Sequence, residues 1–504
     1  MATGTTAERP EKGGLAENRA NSKLRAYELF ILLLLTLGAL LIHGYHPWAE
    51  DAEIYLPGAE KILHPELFPF NAKFFEAHAE HTLFPDLIAG SVRVTHLPLN
   101  WVLFFWQIAS IYLLLFACWK LTLKCSQNSW ARWAGVALIA ALLTIPIAGT
   151  ALYILDQYTN PRNLVAFATV FAIVKVLDKK YVQAGLFLMF AAVVHTLMSA
   201  FLISFCILLL LIKRSRSRFA HSWLLAFPFG LSFARPSAAY HEAARTHANH
   251  YITNWTWYEW LGIIGPIFLL WVYARLARDN NRWQMELMCR VLVAYQIVFV
   301  IAALVLDIPA RLEALARLQP MRSLYLCYVL FFLFTGVLVG EYVLKKQVWR
   351  WILLFLPLCA GMFVAQRELF PASAHVEWPW VAPKNPWVQA FMWVRDNSPV
   401  DAVFALDPQF MNLPGEDENG FRDTAERSRM ADDVKDNGAV SMFPALADEW
   451  AAQVQALRGW KNYSLQDFQR LRSRYGVNWV VVQKQTAGLE CPYHNRAVSV
   501  CRLP

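Results

Sequence analysis

Two adjacent carboxylates, Glu50 and Asp51, follow an apolar segment near the start of the chain. Neighbouring carboxylates can hold a divalent cation, or one can act as a general base while the other adjusts its pKa. An ordinary solvated acidic loop would contain the same dipeptide. The pair is therefore a candidate catalytic site, and a divalent cation is the cofactor that its chemistry would suit.

Three arginines, Arg311, Arg317 and Arg322, lie in one connection between apolar segments, at spacings of six and five residues. They can face one way if the connection is partly helical, and guanidinium groups are preferred planar ligands of phosphate. At a membrane surface that phosphate would belong to a lipid head group. The alternative is a basic loop that touches anionic lipid without specificity.

A second connection runs from Asp156 to Arg162 and contains Asn160 and Pro161, which are typical of a helix start. Arg162 would then lie at a helix N-terminus, where an anion is favoured. A structural ion pair between Asp156 and Arg162 is the competing interpretation.

Histidines provide two further candidates. His195 ends a short apolar segment, and a histidine at membrane depth is a functional candidate, although a hydrogen-bonded packing role fits equally well. The spacing in Glu76-Ala-His78-Ala-Glu80-His81 could hold a transition metal on one helical turn, but the sequence shows neither an open cleft nor further ligands for it.

The elements that position these residues are mainly membrane spans. The chain has 504 residues, 57% of them hydrophobic and 17% charged. Short Lys and Arg clusters at 9–25, 120–132, 179–180, 213–218, 275–290 and 345–350 mark cytoplasmic segments under the positive-inside rule. The positive net charge therefore reflects orientation in the membrane rather than nucleic-acid binding.

With about 20 apolar residues per crossing as a guide, we predict an α-helical polytopic membrane protein with about eleven spans, its N-terminus inside and its C-terminus outside. The predicted spans are 27–44, 99–119, 133–153, 162–178, 181–195, 197–212, 219–234, 259–274, 291–306, 322–343 and 350–366.

Three parts of the chain follow from this topology: a disordered cytoplasmic tail (1–26), a multispan domain (27–369) and an extracytoplasmic α/β domain (370–504). In the long external loop 45–98, residues 52–64 and 82–94 are expected to form amphipathic helices on the membrane surface. In the last domain, strands are predicted at 402–406, 439–443, 479–483 and 497–501, and helices at 445–458 and 464–474. Cys491 and Cys501 could form a disulfide if this domain faces an oxidising compartment.

In layout the chain resembles the GT-C class of membrane glycosyltransferases, which have many spans, a long first external loop and an acidic residue soon after the first span. It is also similar to a group of bacterial multispan membrane proteins with a C-terminal external domain. The motifs behind the second resemblance are Trp48-Ala-Glu50-Asp51-Ala-Glu-Ile-Tyr55-Leu-Pro57, Asn160-Pro-Arg162, His195-Thr-Leu-Met198, Phe421-Arg422, Glu426-Arg427, Asp433-Val-Lys435 and Glu449-Trp450.

The GT-C resemblance implies sugar transfer from a polyprenyl-phosphate donor on the extracytoplasmic side, and the second resemblance implies a protein of the bacterial inner membrane. Asp51 would be the general base, or would bind a metal that activates the acceptor, and Glu50 would support it. The lipid phosphate would be held by Arg162, Arg311, Arg317 and Arg322, with Asp156 and His195 as accessory residues. Alternatives are a transporter or flippase of a lipid-linked or anionic substrate, and a non-catalytic scaffold with an external binding domain.

Overall fold

The computed structural model describes residues 12–214, 237–307, 315, 317–484 and 487–504, without the side chains of 12–24, 213–214 and 248. The predicted seventh span, 219–234, and Arg311 lie outside the described residues.

Most of the described chain is helical. The helices of the N-terminal two thirds are α1 (Lys12–His43), α2 (Ala52–Leu63), α3 (Lys73–Ala79), α4 (Phe84–Thr95), α5 (Leu99–Cys125), α6 (Ser129–Ala141), α7 (Pro161–Leu177), α8 (Tyr181–Val194), α9 (Thr196–Arg214), α10 (Ala238–Thr246), α11 (Trp257–Asp279), α12 (Trp283–Asp307), α13 (Leu324–Val339) and α14 (Val348–Leu369). The later helices are α15 (Pro386–Asn397), α16 (Arg422–Ala425), α17 (Asp436–Met442), α18 (Ala447–Leu457) and α19 (Leu465–Tyr475).

Six helices of the described chain are long and apolar enough to cross a membrane: Arg25–His43, Leu99–Cys125, Trp257–Asp279, Trp283–Asp307, Pro320–Leu344 and Val348–Leu369. The apolar window of α14 is not buried inside the protein at all, as expected for a helix that faces lipid. These helices make the chain an integral membrane protein. The count of eleven spans and the direction of the chain stay predictions.

The third predicted span, 133–153, is wrong in its second half, because α6 ends at Ala141. Pro146 follows, and proline disfavours a helical conformation in the residue before it and removes a backbone donor. Gly149 packs so close to Trp255 that a Cβ would lie 2.6 Å from the indole ring. The chain from 142 to 160 therefore runs as a non-helical segment, which at membrane depth is tolerated where it is buried or lines a cavity.

The expected surface helix at 52–64 is also corrected. It forms as α2, but Ala52, Leu56 and Ala59 and the carboxylates of Glu53 and Glu60 are buried. The helix lies beneath the C-terminal domain instead of on the membrane surface. Amphipathicity cannot predict this placement, because the polar face of α2 is covered by side chains that come from 369 residues further along the chain.

The C-terminal domain contains a five-stranded sheet in the order β2-β1-β3-β5-β4. Its strands are β1 (Val403–Ala405), β2 (Ser428–Arg429), β3 (Trp479–Val482), β4 (Glu490–His494) and β5 (Ser499–Arg502). β1 pairs in parallel with β2 and β3, whereas the pairs β3–β5 and β4–β5 are antiparallel. Cys491 and Cys501 form a disulfide between β4 and β5.

The strand predicted at 439–443 is wrong, since these residues belong mainly to α17. Val440 packs there with Tyr240 of α10 and Trp450 of α18, so tertiary packing decides a segment that is too short for its own periodicity to decide. The two faces of the sheet are buried by α15 on one side and by α18 and α19 on the other.

Candidate functional site

A cavity of about 350 Å³ lies where the membrane helices, the 45–98 loop and the C-terminal domain meet. The charged side chains in its lining are Glu50, Asp51, Asp156, Arg162, Arg322 and Lys435. Three acidic and three basic residues thus face one space, although they come from distant segments of the chain. The cavity can bind a polar ligand that carries charge.

The non-helical segment before α7 fixes the start of that helix. Pro161 is the first helical residue, and the side-chain oxygen of Asn160 accepts a hydrogen bond from the backbone N–H of Asn163. This cap places Arg162 in the first turn, where the exposed backbone N–H groups favour an anion.

The guanidinium of Arg162 is held by Asp156 and Tyr158 and lines the cavity. Its Nη2 donates to Oδ2 of Asp156 at 3.0 Å and to the hydroxyl of Tyr158 at 3.1 Å. Its Nη1 donates to Oδ2 of Asp51 at 2.7 Å. The ion pair between Asp156 and Arg162 is present, and the guanidinium additionally bridges to the acidic pair.

Asp51 lies between two cations. Its Oδ1 is 3.3 Å from Nζ of Lys435, and its Oδ2 accepts from Arg162. Burial alone would raise the pKa of Asp51, but Lys435 and Arg162 together lower it well below its usual range. Asp51 is therefore an ionised carboxylate in this arrangement, and its interactions with the two cations make it a weak base.

Glu50 occupies an unusual backbone position, with φ at 61°, and it also forms an ion pair with Lys435. Its backbone N–H donates to the carbonyl of Glu418 at 2.8 Å, and Glu418 has φ at 57°. Burial, together with the neighbouring carboxyl group of Glu50, raises the pKa of Glu418 to about 9. Glu418 therefore favours its protonated form at neutral pH.

Arg322, in the turn that precedes α13, differs from the other two cations. No hydrogen bond or ion pair to its guanidinium is found within the described part of the chain, and its buried Nε has no partner there. A buried donor without an acceptor is costly. A ligand with anionic oxygens in the cavity would remove that cost.

Four histidines also line the cavity: His78, His195, His247 and His250. Burial lowers the pKa of His78 to about 4, and burial also lowers the pKa of His247. Both side chains are therefore neutral at pH 7 and can offer hydrogen bonds without adding charge.

Most of the site residues predicted from the sequence line the cavity, namely Glu50, Asp51, Asp156, Arg162, His195 and Arg322. Arg317 is not in the cavity lining, and Arg311 lies outside the described residues. Lys435 was missed as a site residue, because nothing near it in sequence separates it from a surface lysine. Only its membership in the quoted motif Asp433-Val-Lys435 could have pointed to it.

The residues at the cavity do not match a typical metal site. Across the described residues, no group of three or more His, Cys, Asp or Glu side chains has a metal-binding arrangement. The carboxylates of Glu50 and Asp51 are instead engaged by Lys435 and Arg162.

No protein-family model matches the chain, and no curated protein matches it. Among solved structures, the backbone is similar to that of the oligosaccharyltransferase of Archaeoglobus fulgidus in its apo form. The two chains are 11% identical, with a TM-score of 0.45, and the match covers 90% of this chain and 69% of the other.

Proposed function

We propose that the chain is a membrane glycosyltransferase of the GT-C type, which moves a sugar from a polyprenyl-phosphate donor to an acceptor hydroxyl on the extracytoplasmic side. The single observation that carries this proposal is that one cavity at the edge of the membrane helices contains both the ion pair of Asp51 and Arg162 and the guanidinium of Arg322, whose buried Nε has no hydrogen-bond partner among the described residues.

The phosphate of the donor would lie against Arg322 and Arg162. Arg322 offers donors that have no acceptor among the described residues, and Arg162 is already oriented by Asp156 and Tyr158. A small crevice with a volume of about 10 Å³, room for one water-sized group, lies beside Arg322. Its lining consists of Thr169, Met198, Phe201, Leu202, Arg322, Tyr325 and Leu326.

In the reaction, the acceptor oxygen attacks the anomeric carbon, and the bond between that carbon and the phosphate oxygen breaks. The electron pair of the broken bond leaves with the polyprenyl phosphate, and the two guanidinium groups stabilise the charge that develops there. The acceptor proton passes to Asp51, which we propose as the general base.

Donor binding would also activate Asp51. In the ligand-free cavity Arg162 and Lys435 hold its pKa low, so it is a poor proton acceptor. A phosphate that attracts Nη1 of Arg162 would weaken the bond to Oδ2 of Asp51 and raise the proton affinity of this carboxylate. The base would then become effective when the donor is in place.

The extracytoplasmic side is supported by two features. Lys and Arg clusters alternate with apolar segments in a way that assigns the loop 45–98 and the C-terminal domain to the same face. The disulfide of Cys491 and Cys501 is also typical of an oxidising compartment. A bacterial inner membrane is part of this proposal.

The test uses the full chain reconstituted in proteoliposomes with polyprenyl-phosphate sugars and a panel of hydroxyl acceptors. We expect a covalent glycosylated product, detected by mass spectrometry, together with released polyprenyl phosphate. Movement of the intact lipid across the bilayer without any covalent product would contradict the proposal and indicate a transporter.

A further inference from the structure

Lys435 belongs to the C-terminal domain but reaches into the acidic pair at the start of α2. Its ammonium group forms ion pairs with Glu50 and Asp51, which precede it by more than 380 residues. The side chain is only 12% exposed. Around it, Val434, Gly438, Ser441 and Met442 also line the cavity, so one wall of the cavity comes from this domain.

The backbone that carries Lys435 is fixed by an aspartate. Oδ1 of Asp432 accepts hydrogen bonds from the backbone N–H groups of Val434, Lys435 and Asp436, at 3.0, 2.7 and 2.8 Å. Three bonds to one oxygen leave the turn before α17 little freedom, and the starting point of the Lys435 side chain is therefore fixed.

Asp432 and Asp436 belong in turn to a buried ion network that includes Glu53 of α2. Arg422 binds Asp436 with two parallel hydrogen bonds, at 2.8 and 2.9 Å. Arg429 donates to Glu53 at 2.8 Å and to Asp436 at 3.1 Å. The side chains of Glu53, Arg422, Arg429 and Asp436 are each no more than 2% exposed.

The network ties the two sides of the site together. Glu53 lies in the first turn of α2, two residues after Asp51, which is the N-cap residue of this helix. Gly420 allows a close approach there, since a Cβ at this position would lie 2.7 Å from Oε2 of Glu53. The same buried contact thus fixes the start of α2, which follows the acidic pair, and the start of α17, which follows Lys435.

Resting on the proposed function, we infer that Lys435 is a positioning residue that fixes Glu50 and Asp51 in the cavity, so that the C-terminal domain forms one half of the active site. Lys435 acts on the substrate only through these carboxylates. A purely structural ion pair would also stabilise the charged carboxylates, so the positioning role requires in addition that loss of Lys435 lowers kcat and shifts the pH–rate profile.

The experiment measures protonation of the pair without relying on activity. A hydrophobic carbodiimide reacts with protonated carboxyl groups, and mass spectrometry of the peptide that contains Glu50 and Asp51 reports their labelling. In the full-length protein in nanodiscs, we expect Lys435→Gln and Lys435→Met to increase labelling of Glu50 near pH 6 by about tenfold, because Glu50 loses the cation that stabilises its charged form. Lys435→Arg should keep the labelling of the unmodified protein.

Lys461→Met is the matched control, since Lys461 is an exposed lysine of the same domain. Two uncharged variants are used so that one can be measured if the other does not fold, as judged by gel filtration. Equal labelling of Glu50 in the unmodified protein and in a folded uncharged variant would overturn the inference.

Sugar transfer is measured on the same samples, which separates the two proposals. In the uncharged variants we expect lower kcat and an acid limb of the pH–rate profile displaced to higher pH, with recovery in Lys435→Arg. If the unmodified protein transfers no sugar, the proposed function fails while the labelling still decides the role of Lys435. If transfer occurs but these variants match the unmodified protein in both measurements, the positioning role fails and the proposed function stands.

Discussion

Oδ2 of Asp51 lies 2.7 Å from Nη1 of Arg162, although the two residues are 111 positions apart in the chain. This contact joins the acidic pair after the first span to the start of α7. Lys435 of the C-terminal domain forms a second ion pair with Asp51. The proposed chemistry depends on this arrangement, because the same carboxylate must stay charged before the donor arrives and accept a proton afterwards.

Replacing Asp51 by Asn should remove the base while keeping the shape of the side chain. We expect kcat for sugar transfer to fall by about a hundredfold to ten-thousandfold, as is usual when a general base is lost. The measurement is a transfer assay on protein that elutes normally in gel filtration. Glu80→Gln, a change at an exposed acid of the same loop, should leave the rate unchanged, and undiminished transfer by Asp51→Asn would exclude Asp51 as the base.

Arg322 and Arg317 provide a matched pair from one connection. Arg322→Gln should raise KM for the lipid donor by about tenfold to a hundredfold, the usual cost of a lost charge-assisted hydrogen bond. Arg317→Gln should have a smaller effect, because Arg317 is not in the cavity lining. Equal changes in KM for the two variants, measured with the same donor, would contradict a phosphate site at Arg322.

The pH–rate profile tests the activation of Asp51 by donor. Since Lys435 and Arg162 lower the pKa of Asp51 in the free protein, kcat/KM should stay level down to about pH 4, the ordinary pKa of an aspartate. In the donor complex Arg162 interacts with phosphate, so the acid limb of kcat should lie at higher pH. Coincident limbs for kcat and kcat/KM would show that donor binding does not alter this carboxylate.

The raised pKa of Glu418 predicts how the stability of the fold depends on pH. Its pKa is raised to about 9 in the folded protein, whereas a glutamate in an unfolded chain titrates near pH 4.3. Between these values the folded protein holds a proton that the unfolded chain has lost, so the free energy of unfolding falls as the pH rises. Glu418→Gln should flatten the fall in thermal midpoint between pH 5 and 9, whereas the exposed control Glu490→Gln should keep it.

Removing a single partner from the buried ion network between α2 and the C-terminal domain should destabilise the protein. Arg429→Met leaves Glu53, Asp432 and Asp436 without one of their partners. Removing one partner of a buried pair typically destabilises a protein by about 3–5 kcal/mol, so the thermal midpoint should drop clearly. Arg496→Met, at an exposed position of the same domain, should have almost no effect, and equal midpoints would argue against the network as a stabilising contact.

The local parts of the site could be predicted from sequence, and the long-range parts could not. Asn160 and Pro161 mark the start of α7, so the position of Arg162 at a helix N-terminus follows from neighbouring residues. Lys435, by contrast, reaches Asp51 through the packing of a sheet domain against the loop 45–98, which no local pattern encodes. The burial of Glu53 was missed for the same reason, since its partners Arg422 and Arg429 lie on the other domain.

Two predicted elements were wrong, one for a local reason and one for a tertiary reason. The third predicted span was too long because hydrophobicity alone continues past Pro146, although the helix cannot. The segment 439–443 was assigned to a strand because five residues are too few to reveal a period, and contacts with α10 and α18 make it helical instead.

The most direct measurement is an experimental structure of the full chain in a lipid nanodisc with a short-chain polyprenyl phosphate. We predict density for the phosphate against Arg322, with Nη1 of Arg162 turned from Asp51 towards a phosphate oxygen. A lipid phosphate bound elsewhere, with Arg322 still unpartnered and the contact between Asp51 and Arg162 unchanged, would contradict the account.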